Sequence, residues 1–131
     1  MAPAHPLIAV LDDEESIRRA LGRLLRSAGF EVVTFASGEE FLDSLNAGLP
    51  GCLVLDIHMQ GMTGFDVLAA LQARHLRVPT IVITAFDDEM TEPRALQAGA
   101  LRFMRKPIRD DDLLHAVDAA IESGAKGSPV S

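Results

Sequence analysis

The stretch Cys52-Leu53-Val54-Leu55 runs without interruption into Asp56, and then into Ile57-His58-Met59-Gln60-Gly61-Met62-Thr63-Gly64. A strand that is apolar at every position has no face to give to water, so both its sides must be covered. That is the condition of a parallel strand inside an α/β domain. The acid at its end is then delivered to the open rim of a sheet, where a glycine-bounded loop begins.

The same design recurs along the chain. Leu7-Ile8-Ala9-Val10-Leu11 is a second continuous apolar run that ends in acid, at Asp12-Asp13. From Glu14 to Ala28 the period changes: Ile17, Ala20, Leu21, Leu24, Leu25 and Ala28 recur at helical spacing, with acids first, arginines later and Gly29 as the stop. Phe30 to Phe35 is rich in branched and aromatic residues and reads as the second strand. Ser37 with Glu40 predicts a capping box for a second helix carrying Phe41, Leu42 and Leu45 inward, closed by Gly48-Leu49-Pro50-Gly51. After the loop at Asp56, Thr63 and Asp66 predict the start of a third helix that buries Val67, Leu68 and Leu71. Pro79 to Thr84 is the fourth strand. The polar loop Asp87-Asp88-Glu89 then leads to a short helix from Glu92 to Ala98, with Pro93 in its first turn. Leu101 to Met104 is the fifth strand, and Asp110 to Glu122 a last helix with Leu113, Leu114, Val117, Ala120 and Ile121 on one face. Five strands alternating with five helices, without repeats, predict an α/β domain over residues 6–123 and a flexible tail or linker over 124–131.

Composition narrows the function. A single domain of 131 residues with 48% hydrophobic residues can build a full core. Its net charge of -7 argues against a nucleic-acid surface, which would need a basic stripe to neutralise phosphates. No apolar run reaches the ~18 residues of a membrane span, and Met1 to Pro6 has no signal-peptide pattern. The lone Cys52 has no internal disulfide partner and fits a small buried thiol, so the expected setting is the cytoplasm.

In a doubly wound sheet, ligands bind beyond the carboxyl ends of the strands, where the strand order reverses. Asp12 and Asp13, Asp56, Thr84 and Lys106 follow the first, third, fourth and fifth strands and would meet there. Three adjoining carboxylates repel unless a cation sits among them, and a hard divalent ion that keeps several waters, Mg²⁺, suits such a site. Lys106 offers a point charge and Thr84 a hydroxyl donor to an incoming phosphoryl group. Each residue taken alone has a plainer reading. An acid pair often marks a helix start, a threonine a strand end, and a lysine a solvated surface; it is the set, in this order, that carries the chemistry.

That set resembles the receiver domains of two-component response regulators. The resemblance runs from Leu7 to about Ser123 and rests on Asp12-Asp13, Asp56, Met59 with Gly61 and Gly64, Thr84-Ala85, Phe103 and Lys106-Pro107. It implies a flavodoxin-like sheet of order 2-1-3-4-5. It also implies that Asp56 takes a phosphoryl group from a sensor histidine kinase or phosphotransfer protein. Asp13, Asp56 and the backbone carbonyl of His58 would hold Mg²⁺ directly, and Asp12 largely through water. Lys106 would pair with the phosphoryl group, Thr84 would swing to it, and Phe103 would follow as the switching aromatic, though a plain core role is its simpler rival. A cis peptide bond is implied before Pro107. Ile17 and Ala20 on the first helix would face a docking kinase. Helix four, strand five and helix five, with Arg94, Arg102 and Asp112 exposed, would form a surface altered by phosphorylation and a possible homodimer face. Gln60 departs from the pattern by standing where many relatives carry proline, which is expected to loosen the loop. The run Phe35 to Leu42 and Lys106-Pro107-Ile108 look like receivers of nitrogen-fixation-type regulators with helix-turn-helix outputs. Two other classes are weighed against this one. A pseudo-receiver binding module would tend to lose the acid set, and a dehalogenase-type aspartyl phosphatase would carry an aspartate where His58 stands.

Overall fold

The computed structural model describes residues 6–85 and 88–126. Five strands, β1 (Leu7–Leu11), β2 (Glu31–Phe35), β3 (Cys52–Asp56), β4 (Thr80–Thr84) and β5 (Arg102–Arg105), alternate with α1 (Glu15–Ser27), α2 (Gly38–Ser44), α3 (Gly64–Ala73), α4 (Thr91–Gln97) and α5 (Asp110–Lys126). A 3-10 turn, Leu45–Ala47, extends α2. The strands form one parallel sheet in the order β2-β1-β3-β4-β5, the flavodoxin-like arrangement.

Side chains alternate across this sheet with period two and build a core on each face. Ala9, Leu11, Leu53, Leu55 and Val82 meet Phe41, Val67, Leu68, Leu71 and Ala95 on one side. Ile8, Val10, Cys52, Val54, Ile81 and Ile83 meet Leu25, Leu113, Val117 and Ala120 on the other. Every residue of β3 is buried, as is every residue of β4. A slip of one residue in β3 would exchange its two faces, and burying each such side chain is worth about 2 kcal/mol. The register of Asp56 at the rim is therefore set by the packing of the strand behind it. Burial also pushes the Cys52 thiol up to about 12, as expected of an apolar pocket.

Local sequence explains the boundaries. Gly29 ends α1 at φ +97°, a conformation open to glycine, and donates its N–H to the Arg26 carbonyl. Thr63 and Asp66 form a complete capping box on α3, each side chain accepting the other's backbone N–H. The box expected on α2 closes differently: Ser37 Oγ accepts from the Glu40 N–H, but Glu40 Oε1 accepts from Ala36 rather than Ser37. On α1 the buried residues are Gly22 and Leu25, while Ala20 and Ala28, predicted on its apolar face, are exposed. The ends of β2, β4, β5 and α4 shift from the predicted ones by a single residue.

α5 shows the one larger difference. The helix passes the expected end at Glu122 and the glycine taken as the start of the tail, continuing to Lys126. A Cβ at Gly124 would lie 3.0 Å from Pro79 Cγ, so this glycine lets the helix pack closely against the start of β4. Residues 127–131 of the expected tail lie outside the described residues, as do Met1 to His5 and the loop residues Phe86 and Asp87. Among the described residues no helix is long and apolar enough to cross a membrane.

Gly64 opens α3 directly beneath the strand that carries Asp56. A Cβ there would lie 2.7 Å from Ile57 Cα and 2.9 Å from the Asp56 carbonyl oxygen, both backbone atoms that cannot turn aside. Gly64→Ala should therefore cost about 2 kcal/mol, read as a lower urea midpoint at unchanged slope. A midpoint equal to wild type would mean that the loop yields freely.

Candidate functional site

β1 and β3 lie side by side, and from them the chain winds outward in opposite directions, so the crevice at their carboxyl ends is the switch point of the sheet. Asp12 follows β1 and is wholly buried, Asp56 ends β3 at 4% exposure, and Asp13 lies between them on the surface. One carboxylate oxygen from each of the three lies within 4.8 Å of the others.

Lys106 enters this group from the end of β5. Its Nζ donates to Asp12 Oδ2 at 3.1 Å and lies 3.8 Å from Glu14 Oε1 and 4.0 Å from Asp56 Oδ2. Its backbone N–H donates to the Thr84 carbonyl at 2.7 Å, and the peptide bond that follows, to Pro107, is cis. The ammonium thus reaches both buried acids.

Backbone amides serve the carboxylates as well. Asp12 Oδ1 accepts from the Glu14 N–H at 2.9 Å, and Asp56 Oδ1 from the His58 N–H at 3.2 Å. Asp13 Oδ2 accepts from the Gln60 N–H at 3.3 Å, across the gap between two loops. The Gln60 amide thus joins its loop to the one that follows β1. Arg18, one of the arginines of α1, is half-buried and donates to the Asp12 carbonyl at 2.7 Å. Glu14 and Arg18 stood out by no motif, and only their distance of two and six residues from Asp12 hinted at these contacts.

The other predicted residues fall as follows. Thr84 is buried at the end of β4, beside Arg105 in the register of β5. Phe103 lies opposite Val82, so it shares the Thr84 face of the sheet two residues back, half-buried under the Arg105 guanidinium 5.1 Å from its ring. His58 is exposed, with its backbone turned to Asp56. Met59 is buried and Met62 packs against the same core. Ile17 is half-buried and Ala20 exposed on α1. Arg94, Arg102 and Asp112 are exposed.

Electrostatics mark Asp56 as the unusual acid. Burial, and then the negative charge of Asp12, push its pKa from 3.8 up to about 6; Lys106 and the His58 N–H pull the other way without cancelling the rise, and Asp13 adds to it. A carboxylate left short of positive charge, beside two others, is the donor set expected of a hard cation site. The residues present thus fit a divalent ion with oxygen ligands.

A doubly wound sheet with converging acids and a lysine at its switch point defines an α/β domain with an acidic ligand site at its rim. Residues 8–118 match the family model described as the response regulator receiver domain, and the chain belongs to that family. It is 40% identical over 125 residues to nodulation protein W of Bradyrhizobium diazoefficiens, covering 95% of this chain and 55% of that protein. Against transcriptional regulatory protein FixJ of the same organism it is 35% identical over 127 residues, covering 95% and 62%. Among solved structures, response regulator StyR superposes with a TM-score of 0.87 at 40% identity, over 95% of this chain and 63% of that one. FixJ-N superposes with a TM-score of 0.85 at 34% identity, over 93% and 96%. The chain spans about half the length of several curated relatives that it matches. The domain is accordingly a receiver of the FixJ and NtrC kind, and neither a dehalogenase-type phosphatase nor a pseudo-receiver is favoured.

The raised pKa of Asp56 has a signed consequence for stability. In metal-free protein the folded state holds this proton more tightly than the unfolded chain, so the stability it contributes is complete below 3.8 and lost as pH rises through about 6. With a chelator present, wild type should lose stability relative to Asp56→Asn across that interval, read from urea midpoints at each pH. Parallel pH profiles for the two proteins would contradict the assignment.

Proposed function

We propose that Asp56 is the phosphoacceptor of this receiver and that a sensor histidine kinase, or a phosphotransfer protein fed by one, is the donor. The observation that carries this reading is the convergence of Asp12, Asp13 and Asp56 on one point, with Lys106 Nζ within 4.0 Å of Asp56.

In the reaction an Asp56 carboxylate oxygen attacks the phosphorus of a phosphohistidine in line with the leaving nitrogen. The P–O bond forms as the P–N bond breaks, the electron pair passes to the imidazole, and that ring recovers a proton from solvent. The product is an acyl phosphate on Asp56. A hard divalent cation such as Mg²⁺, when bound, supplies positive charge to the phosphoryl oxygens; Asp13, Asp56 and the His58 carbonyl would hold it directly, with Asp12 acting mainly through water. Lys106 stands ready to exchange its contact with Asp12 for the phosphoryl group, a charge-assisted contact of the kind phosphoryl transfer depends on. Asp56 must be ionised to attack, and the neutralising groups around it serve that end.

Switching would follow from the sheet. Thr84 turning its hydroxyl to the phosphoryl group would vacate space on the face it shares with Phe103, and the phenyl ring could enter without burying an unpaired donor. The surface altered would be α4, β5 and α5, where a phosphorylation-dependent homodimer could form. In this reading residues 6–123 make the receiver, working in the cytoplasm without touching nucleic acid itself. The segment from 124 onward serves as tail or linker, beginning as the last turn of α5. By analogy with the relatives that are transcriptional regulators, the signal would pass to a DNA-binding output.

Incubation with Mg²⁺ and acetyl phosphate should add the mass of one phosphoryl group to wild type and none to Asp56→Asn; an unmodified wild type that also fails to bind beryllofluoride would sink the proposal. A second expectation concerns docking through α1. Ile17→Glu should slow transfer from a histidine kinase at least about ten-fold while sparing acetyl phosphate, since losing one buried apolar contact at an interface costs on the order of 1–2 kcal/mol. Equal loss with both donors would place the defect in the domain and not in the docking face.

A further inference from the structure

Asp12 is anchored through each of its polar groups. Its backbone N–H donates to the Phe35 carbonyl, its Oδ1 accepts from the Glu14 N–H, and its Oδ2 accepts from Lys106 Nζ. The group that remains is its carbonyl, to which Arg18 Nη1 donates at 2.7 Å. Arg18 stands near the start of α1, its backbone N–H bonded to the Glu14 carbonyl, and its half-buried side chain reaches back six residues to the rim.

Charge alone gives no reason for an arginine there. The first turn of a helix favours anions over cations, and a fixed positive charge near the acids opposes the arrival of a divalent ion. What the contact supplies is geometry. The Asp12 carbonyl and the Asp13 amide belong to one rigid peptide plane, so a bond that holds the carbonyl also sets the direction in which Asp13 leaves. Asp13 is the exposed member of the three acids, and rotation of that plane would carry its carboxylate away from the point where it meets Asp12 and Asp56.

We propose that Arg18 is a positioning residue for the divalent-cation site: by holding the plane between Asp12 and Asp13, it places the Asp13 carboxylate beside the two buried acids before the ion arrives. The inference rests on the reading of Asp13 as a metal ligand. Position and charge predict opposite signs. Removal of a positive charge by itself would tighten binding of a divalent cation, whereas loss of a contact that orients a metal ligand weakens it.

The test measures Mg²⁺ affinity by calorimetry, and the Mg²⁺ dependence of phosphorylation by acetyl phosphate, in wild type, Arg18→Met and Arg19→Met. Methionine keeps an apolar stem and removes the donors. Arg19, the next residue of α1 and paired with Glu15 at 2.9 Å, is the control for charge. Arg18→Met should bind Mg²⁺ roughly ten-fold more weakly, or worse, and need correspondingly more of it for half-maximal phosphorylation. Its rate at saturating Mg²⁺ should match wild type, and Arg19→Met should bind as wild type or slightly tighter. Equal or tighter binding by Arg18→Met, equal weakening by both variants, or a loss confined to the saturated rate overturns the proposal and leaves the phosphoacceptor reading in place. Wild type that binds no Mg²⁺ overturns the reading of Asp13 as a ligand together with the proposal. Should Arg18→Met not fold, wild type reads the bond itself: without metal, the Arg18 guanidinium protons should exchange more slowly than those of the exposed Arg23. Equal rates would overturn the proposal.

Discussion

The contact between Lys106 and Asp12 is the constraint on which the rest of the rim depends. Asp12 has no exposure to solvent, and a buried carboxylate without a partner would carry a penalty of several kcal/mol. Its two oxygens are satisfied by the lysine ammonium and the Glu14 amide, so the charge can be kept where water cannot reach it. One consequence is that β1 and β5, which are not neighbours in the sheet, are joined at their carboxyl ends. Another is that Asp56 receives only the remainder of the lysine's field, at 4.0 Å, and stays harder to ionise than an ordinary aspartate. Asp56 is thus left under-neutralised by its surroundings, and a further positive charge has a place to act.

Much of this arrangement could be read from residues alone, for a physical reason. Strands buried on both faces must be apolar throughout, and those of β1, β3 and β4 are continuous enough to locate Asp12, Asp56 and Thr84 at their ends within a residue. Helix starts were readable wherever a side chain closes on the backbone, as at Thr63, and less so at α2, where Glu40 reaches one residue further back than a capping box requires. Gly124 misled because a glycine has two uses, ending a helix or admitting a neighbour, and composition does not distinguish them. Here the neighbour is Pro79. The contacts of Gln60, Glu14 and Arg18 were hidden for a different reason. They involve backbone groups or long side chains crossing between loops, and no periodicity reports where two loops meet.

The two faces of the sheet divide the work. The face beneath α2, α3 and α4 carries Thr84 and Phe103, and with them the path by which an event at the rim could reach the surface. The opposite face, beneath α1 and α5, holds Ile8, Val10, Cys52, Val54, Ile81 and Ile83 in an apolar layer. In the proposed reading, docking along α1 and response along α4 and β5 would therefore fall on opposite sides of the central strands.

Cys52 and Asp56 are the two ends of one five-residue strand, and the thiol is as inaccessible as any atom in the core. A thiol reagent can reach it only when the packing around the central strand opens. The chain therefore carries a built-in clock for opening of the core around the strand that ends in Asp56. In a chain without tryptophan or tyrosine, the rate at which that single sulfur becomes reactive is a measure of how firmly the core around the strand that ends in Asp56 is held in its fold.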